Sequence, residues 1–181
     1  MTFDHPSFDH LSFDHQPHLL GPTLRLGPLT EADLEALWQV SSDPLVWALH
    51  PDPSRAERGG FERFFANALA SGGALIVSEN TTGQVIGSSR YYEWDPEHRE
   101  VAIGYTFLAR RHWGGAANAE MKRLMLDHAF RWADRVWFHV ASSNLRSRRA
   151  MEKIGGRLAQ EGQRPLNGQL IDYAYYCVEK P

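Results

Sequence analysis

The chain has 181 residues, 43% of them hydrophobic and 23% charged, with one cysteine and a net charge of −3. That length suits one domain with its own core; a lone thiol excludes an internal disulfide framework and four-thiolate metal sites, and the small negative charge argues against a general nucleic-acid binder. No stretch of about 18 apolar residues is present to span a membrane and no apolar signal segment opens the sequence, so a soluble protein in a reducing, cytoplasmic setting is expected, with no membrane or nucleic-acid partner.

The charge is unevenly spread. From Leu108 to Arg164 there are 12 Lys/Arg against 5 Asp/Glu, and the remainder holds 7 against 17. One part of the chain is suited to an anion, and a helical segment with basic solvated faces accounts for the same numbers.

The chain opens on a repeat of period five, Phe3-Asp4-His5, Phe8-Asp9-His10 and Phe13-Asp14-His15, followed by His18. Five fits neither a helical stripe nor an alternating strand. Imidazoles beside carboxylates can hold a transition metal, but no closed ligand set accompanies them, so residues 1–20 read as a flexible low-complexity arm with no metal site, ahead of a single domain over 21–181.

Regular structure is expected from Thr23, where Leu24 and Leu26 bracket Arg25 in a short strand ending at Pro28. Thr30 to Asp33 reads as a capping box before a helix with Leu34, Leu37 and Trp38 on one face. A second cap is read at Ser54, with Glu57 three residues on and Phe61, Phe64, Phe65 and Leu69 behind it. Ala74–Ser78, Val85–Trp94 and Arg99–Leu108 then alternate as three strands whose short turns imply an antiparallel meander. A helix from Asn118 to about Trp132, a strand Val136–Ala141, a helix from Asn144 to Ile154 and a Tyr-rich strand Asp172–Glu179 complete an α/β chain. The strand-helix-strand unit from Leu108 to Ala141 is expected to be a parallel crossover.

Between strand and helix lies Arg111-His112-Trp113-Gly114-Gly115-Ala116-Ala117-Asn118. The first N–H groups of a helix lack intrahelical partners, and small residues let an anion approach them. Neither the Walker lysine pattern nor the Rossmann spacing is present, and glycine here also serves a tight turn.

These residues resemble the pyrophosphate loop, Q/R-x-x-G-x-G/A, of the GCN5-related N-acetyltransferases. Arg111-x-x-Gly114-x-Ala116 fits it, and sliding the register to match Glu120 with the family's frequent helix glutamate puts Ala116 where glycine is usual. Asn144-Leu145-Arg146-Ser147, followed by Glu152-Lys153-Ile154-Gly155-Gly156, resembles the N-x-x-S…E-K-x-G stretch of the ribosomal-protein N-acetyltransferase subgroup. The likeness runs from about Leu24 to Glu179 and is strongest between Val101 and Gly156.

The resemblance implies a mixed, mostly antiparallel sheet flanked by helices, with a splayed strand pair for CoA. It also implies acetyl transfer from acetyl-CoA to a primary amine of a small molecule or a peptide N-terminus, by direct attack on the thioester. Loop amides from Trp113 through Gly114, Gly115, Ala116 and Ala117 to Asn118 would hold the pyrophosphate, with His112 beside them and Arg110 and Arg111 adding charge. Backbone groups of Phe107 and Leu108 would pair with pantetheine, and Asn144 and Ser147 would lie near the sulfur. Asn144 also reads as a plain helix N-cap, and Arg146, Arg148, Arg149 and Lys153 as phosphate contacts or solvated charges.

For proton transfer the sequence departs from the family: Met151 stands at the usual tyrosine and Ala102 at a glutamate of related enzymes. Glu100, on the same strand face as Ala102, is the candidate that could act through water, with Tyr105, Tyr173 and Tyr176 behind it. Trp47, Tyr91, Tyr92 and Trp94 are candidates for an aromatic acceptor pocket, and Asp43, Asp52, Glu93, Asp95 and Glu97 would draw a cationic amine. The alternative function is a catalytically silent module that binds CoA or an acyl-CoA. A homodimer is common in the family.

Overall fold

The structure, a computed structural model, describes residues 12–181. The repeats at Phe3–His5 and Phe8–His10, and with them most of the expected arm, lie outside the described residues.

Strand β1 (Leu19–Leu20) pairs with β2 (Leu24–Pro28), where Leu24 and Leu26 are buried and Arg25 is exposed, as alternation requires. The Thr30 cap forms as expected: the Asp33 carboxylate accepts from the Thr30 N–H at 2.8 Å and from its hydroxyl at 2.9 Å. The chain then turns through one 3-10 turn into α1 (Leu34–Ser41). A short α2 (Pro44–Trp47) follows, capped by Asp43, which accepts from Leu45 N–H at 3.1 Å.

The cap expected at Ser54 does not form. Its hydroxyl donates to Asp52 at 2.6 Å, residues Pro53–Ala56 make a 3-10 turn, and α3 (Arg58–Ala70) starts behind Glu57. That helix packs so closely on the turn that a Cβ on Gly60 would stand 2.0 Å from the Ser54 carbonyl oxygen.

Strands β3 (Ala74–Glu79), β4 (Val85–Asp95) and β5 (Glu100–Leu108) form the expected antiparallel meander. Helix α4 (Ala116–Ala129) then crosses to β6 (Arg135–Ala141), which runs parallel to β5. Helix α5 (Leu145–Lys153) leads to a hairpin of β7 (Arg157–Leu166) and β8 (Gln169–Glu179), turned at Asn167-Gly168 with both φ positive. The eight strands form one sheet in the order β1-β2-β3-β4-β5-β6-β8-β7, antiparallel everywhere except β5–β6. One apolar cluster, with Met121, Met125, Val101, Ile103 and Phe138, packs α4 on one face; another, with Leu37, Phe61, Phe64 and Phe107, packs α1–α3 on the other.

Part of the segment read as an arm belongs to this core. Phe13 is buried among the rings of Tyr91, Trp94, His128 and Trp132. His128 Nε2 lies 2.8 Å from the Asp14 carbonyl oxygen. The packed domain therefore begins before residue 20, because an aromatic ring of the repeat supplies core surface that β4 and α4 would otherwise expose.

Candidate active site

Strands β5 and β6 stay in register only over Glu100↔Arg135, Val101↔Val136 and Ala102↔Trp137. Beyond Ala102 they part, leaving a cleft of about 580 Å³ lined by β5 from Ile103 to Leu108, by β6 from Phe138 to Ala141 and by the starts of α4 and α5. A bulge in β5 helps to open it: the register against β4 shifts between Ser88 and Arg90, and Tyr105 sits at a φ of 53°. A bulge bends its strand and turns backbone groups out of the ladder; a tyrosine in the left-handed region is strain held in place by its surroundings.

At the cleft end of β5, Ala109 N–H donates to the Ile86 carbonyl at 2.8 Å and Leu108 stands opposite Gly87. Antiparallel alternation then points the N–H and C=O of Leu108 away from β4, toward the gap, and those of Phe107 toward Ser88. The Leu108 carbonyl is engaged by Trp113, whose indole N–H donates to it at 2.9 Å. The expectation that backbone groups of both residues face pantetheine thus narrows to the N–H of Leu108, and Phe107 contributes its ring to the α1–α3 core instead.

The phosphate-loop residues divide in two. His112, Trp113, Gly114, Gly115 and Asn118 line the cleft, and Ala116 and Ala117 form the first turn of α4 behind them. Gly115 is the N-cap and no side chain caps the helix. Gly114 adopts a φ of 69°, and a Cβ there would meet nothing within 4 Å, so glycine is needed for conformation and the space before the loop is open. Arg110 and Arg111 point elsewhere, Arg110 paired with Asp43 and Arg111 4.0 Å from Glu79. His112 Nε2 is 3.3 Å from the same Glu79 but misaligned for a hydrogen bond. Fixed charge from the two arginines is therefore already compensated, because both reach acidic residues of neighbouring elements.

At the start of α5, Asn144 is the N-cap: its Oδ1 accepts from Ser147 N–H at 3.1 Å, which leaves Nδ2 to the cleft. Both residues line the cleft, as do Arg146, Arg149, Lys153 and Met151. Arg148 turns away and donates to the Tyr176 hydroxyl at 3.0 Å. Arg146 lies 3.8 Å from the centre of the Trp113 ring and donates to the Val46 carbonyl at 3.2 Å, tying α5 to α2.

Glu100 is not in the cleft. It sits at the closed end of the β5–β6 pair, where it accepts from the Trp137 indole at 2.8 Å and pairs with Arg135 at 2.7 Å. A carboxylate at the first residue of β5 lies where the strands are still joined, so it cannot serve the gap opened beyond Ala102. It shares a shallow depression with Trp94, Ala102 and Trp137, as strand alternation requires. Of the tyrosines, Tyr105 and Tyr173 line the cleft, whereas Tyr176 is buried in the core. Of the aromatic set only Trp47 lines it, since the Tyr91 hydroxyl donates to the Met125 carbonyl at 2.7 Å inside the core.

Four cleft residues escaped the sequence reading. Lys122 is fully buried, donates to Thr106 Oγ1 at 2.8 Å, and faces the Phe138 ring at 5.0 Å; burial without a carboxylate pushes its ammonium down to about 7. Its signal was a lysine on the apolar stripe of α4 with Met125 and Ala129. His139 lies 3.1 Å from the Tyr92 hydroxyl, and burial, reinforced by Arg164, keeps its imidazole neutral. His50 and Arg55 come from the turn after α2; burial, then the Arg55 charge, pushes His50 down to about 3. No local pattern marks these last three, because the sheet and the turn bring them together from distant positions.

The cleft and the loop can be set beside known proteins. Residues 23–157 match the family model of the acetyltransferase (GNAT) domain. The chain is similar to a GCN5-related N-acetyltransferase from Brucella melitensis, 22% identical with a TM-score of 0.81, over 91% of this chain and 79% of that one. It is also similar to an assigned acetyltransferase from T. thermophilus, 31% identical over 90% of this chain and 88% of that one, with a TM-score of 0.71. A third, RimJ of Mycobacterium smegmatis, in complex with CoA-disulfide, shares the fold at 18% identity and a TM-score of 0.72, over 93% of this chain and 90% of that one. No curated protein matches the chain by sequence. With three quarters of its length under one family model and the splayed sheet to accommodate the cosubstrate, the chain belongs to the GNAT acetyltransferase family and is an N-acetyltransferase.

Proposed function

We propose that the protein moves the acetyl group of acetyl-CoA to a primary amine of a small molecule or a peptide N-terminus, by direct attack of the neutral amine on the thioester. The observation that carries the reading is the gap between β5 and β6 beyond Ala102, open onto the uncapped N-terminus of α4. In that reading the amides from Gly114 to Asn118 receive the diphosphate, favoured by the helix dipole. Pantetheine lies along β5 as an added strand, and the inward N–H of Leu108 polarises the thioester carbonyl. Asn144 Nδ2 and Ser147 flank the sulfur.

The C–N bond forms as the C–S bond breaks, and the proton lost by the amine passes through water to the departing thiolate, giving CoA and the amide. Catalysis then rests on placement and carbonyl polarisation, which together supply several kcal/mol. Neutral His139 and Tyr173 are the cleft groups available to hold the relaying water. The ribosomal-protein subgroup is supported by Asn144-x-x-Ser147 and Glu152-Lys153-x-Gly155, and by the shared fold of RimJ.

Thiol release from acetyl-CoA, followed against polyamines, aminoglycosides, amino acids and peptide N-termini, tests the proposal. Turnover on one class, abolished by Gly114→Glu, is expected. Bound CoA with no thiol release across the panel would instead identify a silent binding module.

A further inference from the structure

The acceptor side of the cleft is cationic, against the expectation from sequence. Most of the acidic residues expected to draw an amine are already paired: Asp43 with Arg110, Asp52 with Arg55 at 3.2 Å, Glu93 with Arg164 at 3.4 Å and Asp95 with His98 at 2.8 Å. Arg90 has no such partner. It is 7% exposed, its Nε is buried without a hydrogen bond, and its guanidinium lies 4.1 Å from the centre of the Tyr105 ring. Among the described residues no carboxylate lies within ion-pair distance of it.

Arg55 is the second cation. It is 8% exposed and lines the cleft, its guanidinium 4.5 Å from the centre of the Phe64 ring, and it shares the single carboxylate Asp52 with Ser54. Arg55 and Arg90 are close enough to repel one another. The other groups facing them are neutral: His50, and the hydroxyls of Tyr92, Tyr105 and Tyr173. Two guanidiniums against one carboxylate leave an excess positive charge in a site shielded from water, which is unfavourable until an anion arrives.

We infer that the acceptor carries a carboxylate beside its amine, and that the carboxylate seats against Arg55, with Arg90 supplying the second charge from behind the Tyr105 ring. The acceptor class is then an amino acid or a short peptide with a nearby carboxyl group, and not a polyamine. A charge-assisted bond to Arg55 would also fix the amine relative to the thioester. Arg55 is the contacting residue; Arg90 is a positioning residue that acts through the field. The inference rests on the acetyl-transfer reading for the identity of the acceptor, but not for the anion site itself.

The test compares α-, β- and γ-amino acids with their carboxamides as acceptors for the full-length protein. For at least one pair, the acid is expected to exceed the amide in kcat/KM by about tenfold, the ratio one charge-assisted hydrogen bond supplies. Arg90→Met is expected to lower that ratio through KM for the acid. Amides or polyamines accepted as well as every acid would overturn the inference while leaving acetyl transfer intact. Should nothing be acetylated, titration of N-acetylglycine into the CoA-loaded protein still reads the site. Binding weakened about tenfold by Arg90→Met supports it, and N-acetylglycine binding no tighter than N-acetylglycinamide contradicts it.

Discussion

The indole of Trp113 donates to the Leu108 carbonyl at 2.9 Å while its face carries the Arg146 guanidinium at 3.8 Å. One side chain thereby joins the end of β5, the loop before α4 and the start of α5, and through Arg146 and the Val46 carbonyl it reaches α2. The loop and the gap are held as one unit, so CoA binding should respond to this residue even though most of its contacts are with protein.

Trp113→Phe keeps a ring under Arg146 and removes the donor to Leu108. A loss of about 1 kcal/mol is expected, read as a lower unfolding midpoint and a CoA Kd raised about fivefold in titration calorimetry. Unchanged CoA affinity would show that the strand end is positioned without the indole.

Adjacent glycines in the loop should behave differently. Gly114 needs its φ of 69°, so Gly114→Ala is expected to cost about 1 kcal/mol and to weaken CoA binding. A Cβ on Gly115 would meet only the His112 carbonyl oxygen, at 3.9 Å. Gly115→Ala is therefore expected to leave the melting temperature within error, and differential scanning fluorimetry separates the two.

Lys122 predicts a pH dependence of stability. Its ammonium titrates at about 7 in the folded protein and near 10.5 when exposed. Between these values the unfolded chain binds more protons, so stability rises with pH by about 1.4 kcal/mol per unit from this group, and below pH 7 its penalty is constant. Lys122→Met should stabilise the protein most at pH 7 and below, with the gain shrinking as pH approaches 10. Urea unfolding of both proteins across pH 6 to 9.5 measures it; a gain independent of pH would mean that Lys122 keeps its charge throughout.

Phe13 lies in the third copy of the repeat, yet its ring is 5.1 Å from that of Tyr91 and 5.2 Å from that of Trp94. Phe13→Ala is expected to cost about 3 kcal/mol, visible as a shifted urea midpoint. A neutral result would mean that the segment is an arm as far as residue 20.

The parts of the fold that were legible in the sequence are those whose periodicity is local. Leu24 and Leu26 gave β2, the alternation from Val85 gave β4, and the glycine-rich turn ahead of Met121 and Met125 located α4. Strand β7 was not legible, because as an edge strand its residues are almost all exposed and carry no apolar alternation. The loop from His112 to Asn118 and the pair Asn144 and Ser147 were found because the site there is continuous in the chain. Glu100 was misplaced because alternation gives the face of a strand but not how far along it the neighbouring strand departs. The acceptor side depends on Arg55, Arg90, Tyr105 and Tyr173, which come from four separate elements, so no window of sequence contains it.

The most direct measurement is a crystal structure of the protein with CoA. The account predicts the diphosphate within hydrogen-bond distance of the amides between Gly114 and Asn118, and pantetheine between β5 and β6 with its sulfur near Asn144 and Ser147. CoA bound on another face, or β5 and β6 closed against each other beyond Ala102, would contradict it.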